Sequence, residues 1–323
     1  MPEKIQILSD HTALIRGQET TARVVLNFTK PTKVRGIHAV FHAAEKTTAT
    51  YTTTTTDSKG RAKTETRTAT QFVDIVKEQF LLHGAKRKGF FSRIGDSMAT
   101  WVGGGSHVVL EGEHEFPLVL HVPDNAPASF KGNKCEVFYK VDIAVDLPIK
   151  IDWSKSQGFA VTPEKVEFKD TAPVHVVFPD ESGRTFWDKT FGKDVKLNLA
   201  VDRDRVSVGE QALAMLTVET PEPLKVNKME ILLVGTESTV ANGHTDSFAY
   251  SYPLGQIDSP NVISNDSAHE FELEIPEIEG PHSQTGTHYE VVWTIEVRLK
   301  IPWAKDPIIR APITIAPAAN AYN

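Results

Sequence analysis

Two stretches of the sequence alternate between apolar and mostly polar residues over the length of a β-strand. The first is Tyr139–Leu147 and the second is Tyr289–Ile301, and a proline follows each, at Pro148 and Pro302. Side chains of a strand point alternately to opposite faces, so a period of two places one set in a core and the other in solvent. The pattern therefore predicts half-buried strands in both halves of the chain.

The spacing of such segments indicates the fold class. Short alternating runs are separated by Gly, Pro, Asn and Asp at intervals of about ten residues. A parallel sheet would need crossover helices, and no long helical pattern is present. A chain of 323 residues is long enough for two domains. We expect an all-β protein of two tandem immunoglobulin-like antiparallel β-sandwich domains.

The two halves share short matching segments at a constant offset of 192 positions. Gly17-Gln18-Glu19 reappears as Gly209-Glu210-Gln211, and Glu45-Lys46-Thr47 reappears as Glu237-Ser238-Thr239. The common order and the constant offset indicate a duplicated domain. Chance similarity between β-rich segments is the alternative.

A later match has a shorter offset. His114-Glu115-Phe116 matches His269-Glu270-Phe271 at an offset of 155, and Val122-Pro123 and Ile275-Pro276 follow the two motifs. Relative to the earlier offset of 192, the first half thus holds 37 extra residues between the matched segments. We expect these residues in two insertions between Thr47 and Gly112.

The boundary between the domains is predicted in a linker, residues 179–193, which leaves domains of 1–178 and 194–323. The linker begins with Pro, Asp, Ser and Gly, which favour loops. Three aromatic residues in the same segment would form an apolar patch if they were exposed. We expect them to pack between the domains. They are Phe186, Trp187 and Phe191.

An ordered set of segments in the first half resembles a known family. The segments are Val34–Ile37, Glu78–Gly84, Gly112–Leu118, Pro127–Gly132 and Val137–Val141. Together they resemble the first domain of α-arrestins and of the bacterial sporulation-control arrestin-like proteins, and the second half has the same order of pieces as the second domain of that family. The resemblance implies an arrestin-like fold and a scaffold or adaptor that binds other proteins, in signalling, sporulation-type development or trafficking.

The sequence also departs from parts of that family. The first predicted strand, Lys4–Leu8, has one lysine where receptor-binding arrestins use a pair to sense phosphate, and no Pro-Pro-x-Tyr motif is present to recruit a ubiquitin ligase. The resemblance therefore implies the plainer bacterial type rather than a receptor-binding or ligase-recruiting arrestin.

The first insertion is a threonine-rich segment. Tyr51–Thr56 favours a strand, Asp57–Gly60 has turn composition, and Arg61–Arg67 follows, so the segment predicts a β-hairpin. The resemblance places this hairpin where receptor-binding arrestins have their central contact loop. A solvated hairpin with no partner is the alternative. The candidate contact residues are Tyr51, Thr54, Asp57, Lys59, Arg61 and Lys63.

The second insertion is a basic aromatic segment within residues 84–103. Phe90, Ile94, Met98 and Trp101 follow helical spacing, which predicts one short amphipathic helix in the first domain. The helix either packs on the sandwich or contacts an anionic membrane surface or an acidic partner. The residues for that contact are Lys86, Arg87, Lys88, Phe90, Phe91 and Arg93.

Charge and cysteine content limit the class of protein. The formal charge of −7 divides into +3 for residues 1–193 and −10 for residues 194–323. Binding to nucleic acid is disfavoured, because it needs a broad basic face. One cysteine, Cys135, cannot form an internal disulfide. No apolar run reaches membrane-spanning length and the amino terminus does not resemble a leader, so we expect a cytoplasmic protein.

Patterns typical of catalytic sites fail on spacing. His114-Glu115 and His269-Glu270 each lack the second histidine of a zinc-protease motif, and Gly103–Ser106 is not a nucleophile elbow. The alternating Glu270–Glu274 segment predicts the solvent face of a strand rather than a carboxylate site. We expect no enzyme activity, cofactor or metal, although Glu277 and Glu279 beside His282 leave a metal site open.

The expected partners are therefore other proteins of unknown identity. An anionic membrane surface, reached through residues 86–101, and a carbohydrate are the two alternatives. Exposed sheet edges are a further route to binding, because an edge pairs equally well with a peptide strand or with a second copy of the chain.

Overall fold

The structure is a computed structural model of the chain. It describes residues 4–9, 13–56, 58–84, 107–148, 152–162, 171–178, 195–258, 262–264, 267–278, 280–302 and 306–317. The predicted linker and the predicted amphipathic helix both lie outside the described residues.

Nine strands in the first half of the described chain form two sheets. Their bounds are β1 Lys4–Ser9, β2 Ala13–Leu14, β3 Glu19–Val34, β4 Gly36–Thr56, β5 Ala62–Gly84, β6 Val108–His121, β7 Phe130–Lys131, β8 Cys135–Asp146 and β9 Trp153–Val161. One sheet has the order β1-β3-β6. The other has the order β2-β9-β8-β4-β5, with β7 paired to β8.

Ten strands in the second half of the described chain form two further sheets. Their bounds are β10 Val174–Phe178, β11 Lys196–Val201, β12 Arg205–Ser207, β13 Gln211–Glu219, β14 Lys228–Ala241, β15 His244–Asp258, β16 Ser267–Glu274, β17 Gln284–Thr285, β18 Tyr289–Lys300 and β19 Ile308–Ala316. The orders are β10-β11-β13-β16 and β12-β19-β18-β14-β15, with β17 paired to β18.

The predicted duplication is confirmed by this topology. Each half has one larger sheet in which the outermost short strand, β2 or β12, pairs in parallel with the last strand, β9 or β19. Each half also has a tight turn at a glycine with positive φ. Gly17 donates to the carbonyl of Val122 at 2.8 Å, and Gly209 donates to the carbonyl of Ile275 at 2.9 Å. Glycine adopts this left-handed conformation without the steric penalty of a side chain.

The same turn corrects the matching of the two edge strands β6 and β16. Because Val122 corresponds to Ile275, the two strands are equivalent at an offset of 153. The offset of 155 inferred from the His-Glu-Phe motifs is therefore wrong by two residues. The Val122-Pro123 and Ile275-Pro276 pairs already have the offset of 153 in the sequence. A shift of two keeps every side chain on the same face of a strand, so alternation alone does not distinguish the two offsets.

The two alternating stretches form the core strands that were predicted. Tyr139, Val141, Ile143 and Val145 of β8 are buried, as are the apolar residues of β18 except Val292. The largest of these is Trp293, whose ring lies against Gly235 of β14, where an added Cβ would come within 2.6 Å of a ring carbon. A side chain at position 235 would therefore displace the indole from the core.

The chain divides into two compact units. The first consists of Met1–Lys46, Phe72–Phe130 and Glu136–Glu164, and the second consists of Thr47–Gln71, Lys131–Cys135 and Lys165–Asn323. The second unit is therefore discontinuous in sequence. It includes the end of β4, the beginning of β5 and the short loop before β8.

Candidate partner-binding hairpin

The threonine run forms the predicted hairpin between β4 and β5. Three threonine hydroxyls bond across it: Thr53 Oγ1 to the carbonyl of Glu65 at 3.5 Å, Thr54 Oγ1 to Thr64 Oγ1 at 3.4 Å, and Thr55 Oγ1 to the carbonyl of Lys63 at 3.4 Å. The branched side chain of threonine favours the extended backbone. Gly60, with a φ of 78°, supplies the left-handed turn.

The base of the hairpin is packed within the second unit. Ala49 of β4, Ala69 of β5 and Ala241 of β14 form a small buried cluster, and Tyr51 packs against it. The Tyr51 ring also stacks on the imidazole of His244, with ring centroids 3.6 Å apart and an angle of 5° between the planes. Tyr51 is therefore part of the internal packing of this unit.

Two equivalent threonines bond reciprocally at the base. Thr47 Oγ1 donates to the carbonyl of Val240 at 2.9 Å, and Thr239 Oγ1 donates to the carbonyl of Thr48 at 2.8 Å. Thr47 and Thr239 are the matching residues of the duplication. Both hydroxyls are buried and hydrogen-bonded, which avoids the penalty for an unsatisfied polar group.

The turn between β14 and β15 is bonded to β5. Asn242 and Gly243 have φ values of 49° and 79°, which is the pattern of a type I′ hairpin turn. The Asn242 backbone N–H donates to Gln71 Oε1 at 2.8 Å, and its side-chain amide donates to the carbonyl of Thr70 at 3.2 Å. The turn thereby fixes the position of β5 at the base of the hairpin.

Asp246 joins β15 to the hairpin and to the loop before β8. Its Oδ2 accepts from Lys134 Nζ at 2.7 Å and from the backbone N–H of Thr50 at 2.8 Å. The hydrogen bond from Lys134, followed by that from Thr50, lowers the pKa of Asp246 to about 2. The carboxylate is therefore charged at neutral pH and holds three segments of the unit together.

Glu237 is completely buried and holds the same loop. Its carboxylate accepts from the backbone N–H groups of Asn133 at 2.9 Å and Lys134 at 2.6 Å, and from the hydroxyl of Tyr250 at 2.6 Å. Burial, and then the bond to Glu237, raise the pKa of Tyr250. Gly132 is required beside it, because an added Cβ would lie 1.9 Å from Glu237 Oε1.

The tip of the hairpin is exposed on both faces. Every described residue from Thr54 to Thr64 is exposed to solvent. Farther along β5, Glu65 pairs with Lys63 at 2.7 Å and with Arg67 at 3.1 Å, and these hydrogen bonds lower its pKa. The segment 57–67 carries four basic and two acidic residues, so the tip has a surplus of positive charge.

The structure thus divides the predicted contact residues. Tyr51 belongs to the packed base, whereas Thr54, Lys59, Arg61 and Lys63 lie at the exposed tip. Three groups lie outside the described residues. They are Asp57; the basic aromatic residues Lys86, Arg87, Lys88, Phe90, Phe91 and Arg93; and the linker aromatics Phe186, Trp187 and Phe191.

Sequence reasoning did not identify the residues that support the base. Asp246, Lys134 and His244 lie far from the hairpin in the chain, and no local pattern connects them to it. Glu237 and Thr239 did carry a signal, because both lie in the segment that matched Glu45-Lys46-Thr47. By itself, that match indicates only a duplication.

In the described part of the chain, no group of three or more His, Cys, Asp or Glu side chains is placed to hold a metal ion. No helix in the described ranges has the length and hydrophobicity needed to cross a membrane.

Comparison with known families completes the description of the site. The family model of the arrestin (or S-antigen) N-terminal domain matches residues 4–166, half of the chain. The chain belongs to the arrestin family. Arrestins bind other proteins and are generally non-enzymatic scaffolds or adaptors. No curated protein matches this arrestin. The matched region includes the whole β4–β5 hairpin.

Proposed function

We propose that this arrestin is a non-catalytic adaptor that binds another protein through the tip of the β4–β5 hairpin. The observation that carries the proposal is the contrast between the two ends of the hairpin. The base is packed and hydrogen-bonded, and the described residues of the tip from Thr54 to Thr64 are exposed on both faces. The wider role in signalling, sporulation-type development or trafficking, and a cytoplasmic location, belong to the same proposal.

A hairpin with this construction suits protein recognition. Binding orders flexible side chains and loops, and that ordering reduces affinity. The bonds at Thr47, Thr50 and Asn242 already hold the backbone at the base, so less ordering remains for the bound state. The positive surplus at the tip favours a partner surface that is acidic, and it speeds the encounter with such a surface.

The test is to shorten the hairpin without altering its base. We replace Thr52–Thr66 by Asn-Gly, which joins Tyr51 to Arg67 through a two-residue turn. Thermal unfolding is expected to stay within a few degrees of the wild type, because most of the removed residues are exposed. Cross-linking and affinity capture from the native cell, read by mass spectrometry, should lose the partners that the wild-type chain captures.

Two charge variants distinguish the effect of positive charge at the tip from the effect of positive charge elsewhere on the surface. Alanine at Lys59, Arg61 and Lys63 should reduce capture, whereas alanine at Lys30, Lys33 and Lys225 removes the same charge from exposed positions off the hairpin and should leave capture unchanged. Equal capture by the wild type and the shortened hairpin would reject the proposal. So would equal losses in the two charge variants.

A further inference from the structure

Strand β16 is an open edge of the sheet β10-β11-β13-β16. Among the described strands of this sheet it pairs only with β13, in antiparallel register, with Phe271 opposite Ala214 and Leu273 opposite Ala212. An open edge presents backbone N–H and C=O groups that another strand can bond.

The hydrogen-bond pattern identifies which residues of β16 face that edge. The carbonyl of Leu213 accepts a hydrogen bond from the backbone N–H of Asp202 at 2.9 Å, so the backbone groups of Leu213 point toward β11. Bonding alternates along the strand, so the backbone groups of Ala212 and Ala214 point toward β16. Their partners, Leu273 and Phe271, therefore bond to β13. Because bonding alternates along an antiparallel strand, Glu270 and Glu272 direct their backbone groups to the open edge.

The side chains of these two glutamates lie on an exposed, partly apolar face. Met215 is opposite Glu270 and Leu213 is opposite Glu272, and the exposed fractions of the two apolar side chains are 42% and 55%. A shallow cavity of about 640 Å³ lies over these four side chains. Within the described ranges neither glutamate makes a hydrogen bond or an ion pair.

The opposite face of β16 has unsatisfied polar atoms. Ser267 Oγ and His269 Nε2 are buried and have no hydrogen-bond partner among the residues that the structure describes. They alternate with Ala268 and Glu270, so they lie on the face away from the glutamate side chains. If a strand were added beside β16, every second side chain of that strand would lie on this face, next to Ser267 and His269.

The equivalent edge in the first half is closed. Val122 corresponds to Ile275, so Pro117 of β6 occupies the position of Glu270 in β16. Proline has no N–H to donate to a further strand, which is why it is tolerated on edges. On β6 the exposed carboxylate of Glu115 is also paired, with Arg23 at 3.3 Å. The duplicated strands therefore differ in their capacity to accept another strand.

We propose that β16 accepts an extended segment of another protein as an added strand, with Lys or Arg at alternate positions. Two such residues, two positions apart, would lie opposite Glu270 and Glu272, at the distance where opposite charges attract across strands. Their aliphatic stems would cover Leu213 and Met215. The charge of −10 on residues 194–323 favours a basic segment over an acidic one. This surface is separate from the hairpin tip.

The experiment uses the full chain and a short synthetic peptide of alternating lysine and valine. An isomer of the same composition, with all lysines before all valines, controls for charge alone. Titration calorimetry at low and high salt should show binding of the alternating peptide, weakened by salt, and weaker binding of the isomer.

Two variants of β16 distinguish the backbone edge from the charges. Glu270→Pro gives β16 the residue that β6 has at this position and removes an outward N–H and one carboxylate without removing a bond to β13, so affinity should fall about tenfold, more than the loss from neutralising both glutamates. Glu270→Gln with Glu272→Gln keeps the backbone edge and should lower affinity about fivefold, with less dependence on salt. Circular dichroism and the unfolding midpoint verify that both variants are folded.

Glu113→Gln with Glu115→Gln on β6 is the matched control, and it should bind the peptide as the wild type does. Undetectable binding at low salt would overturn the proposal and leave the glutamates as groups that only prevent edge pairing. Wild-type affinity in Glu270→Pro, or equal affinity for the two peptides, would also overturn it. A dimer of the chain alone that Glu270→Pro converts to a monomer would make a second copy the occupant instead.

Discussion

At the scale of single residues, two carboxylates support the hairpin base in different ways. Glu237 is completely buried and is bonded by three uncharged donors, whereas Asp246 is partly exposed and is bonded by the Lys134 ammonium group. The first depends on the satisfaction of buried polar groups. The second depends on charge, and therefore on pH.

Replacing Glu237 by glutamine should destabilise the protein. The amide would present an NH₂ group in a site occupied by donors, so one or more of the bonds from Asn133, Lys134 and Tyr250 would be lost in the interior. We expect the free energy of unfolding to fall by about 2–3 kcal/mol, measured by urea denaturation. Glu230→Gln is the control on the same strand.

Glu230 is an informative control because it lies on the same strand as Glu237, but its side chain is partly exposed to solvent. Its side chain is 22% exposed and pairs with Lys228 at 2.8 Å. Removing this charge is expected to change the free energy of unfolding by less than about 1 kcal/mol. Equal losses of unfolding free energy in Glu230→Gln and Glu237→Gln would show that the buried hydrogen bonds of Glu237 add no stability beyond that of an exposed ion pair.

Asp246 predicts a loss of stability in acid. Its pKa in the folded protein, about 2, lies below the ordinary value of 3.8, so the fold favours the charged carboxylate. The stabilisation is fully present above the unfolded pKa, about 3.9, and is lost as pH falls through the folded pKa. Urea midpoints measured from pH 5 to pH 3 should fall less steeply in Asp246→Asn than in the wild type. Parallel curves would contradict the assignment.

At the scale of elements, the hairpin and the edge strand show which features are local. Threonine content and the Ser-Lys-Gly turn predict the hairpin, because backbone preference acts within a few residues. The division into a packed base and an exposed tip was not predictable, since it depends on Ala241, Asn242 and His244 of a distant hairpin. The sequence therefore predicts Tyr51 as a contact residue, whereas the structure places it in the packed base of the hairpin.

Edge strands show the same division. Alternation identified Glu270 and Glu272 as solvent-facing residues of a strand. It does not say whether that strand is central or at an edge, because the pattern of side chains is the same in both cases. The sequence offers two offsets, 155 from the His-Glu-Phe motifs and 153 from Val122 and Ile275, and the hydrogen bonds decide for the one that places Pro117 at the position of Glu270.

At the scale of the whole molecule, the second compact unit is built from three separate parts of the chain. A cut in the predicted linker, residues 179–193, would separate Thr47–Gln71 and Lys131–Cys135 from the rest of that unit. It would break the bonds of Thr47, Thr50 and Asn242 and expose the alanine cluster.

We therefore expect fragments 1–178 and 194–323 to be less stable than the same regions in the intact chain. Thermal unfolding of each fragment should begin at a lower temperature than in the full protein, and amide exchange at Thr48, Thr50 and Val240 should be faster. An equimolar mixture of the two fragments is the control, because it shows whether their association restores the lost stability. Fragments that unfold at the temperature of the intact chain would contradict the expectation.

The sequence by itself determined the strand content, the faces of the strands, the tight turns and the duplication. These features arise from steric preferences and from the alternation of side chains, which act over a few residues. The tertiary structure alone decided that Thr47 bonds to Val240, that the hairpin base belongs to the second unit, and which of the two offsets in the sequence, 155 or 153, aligns β6 with β16. Such contacts depend on how all the strands pack together, and no local pattern records them.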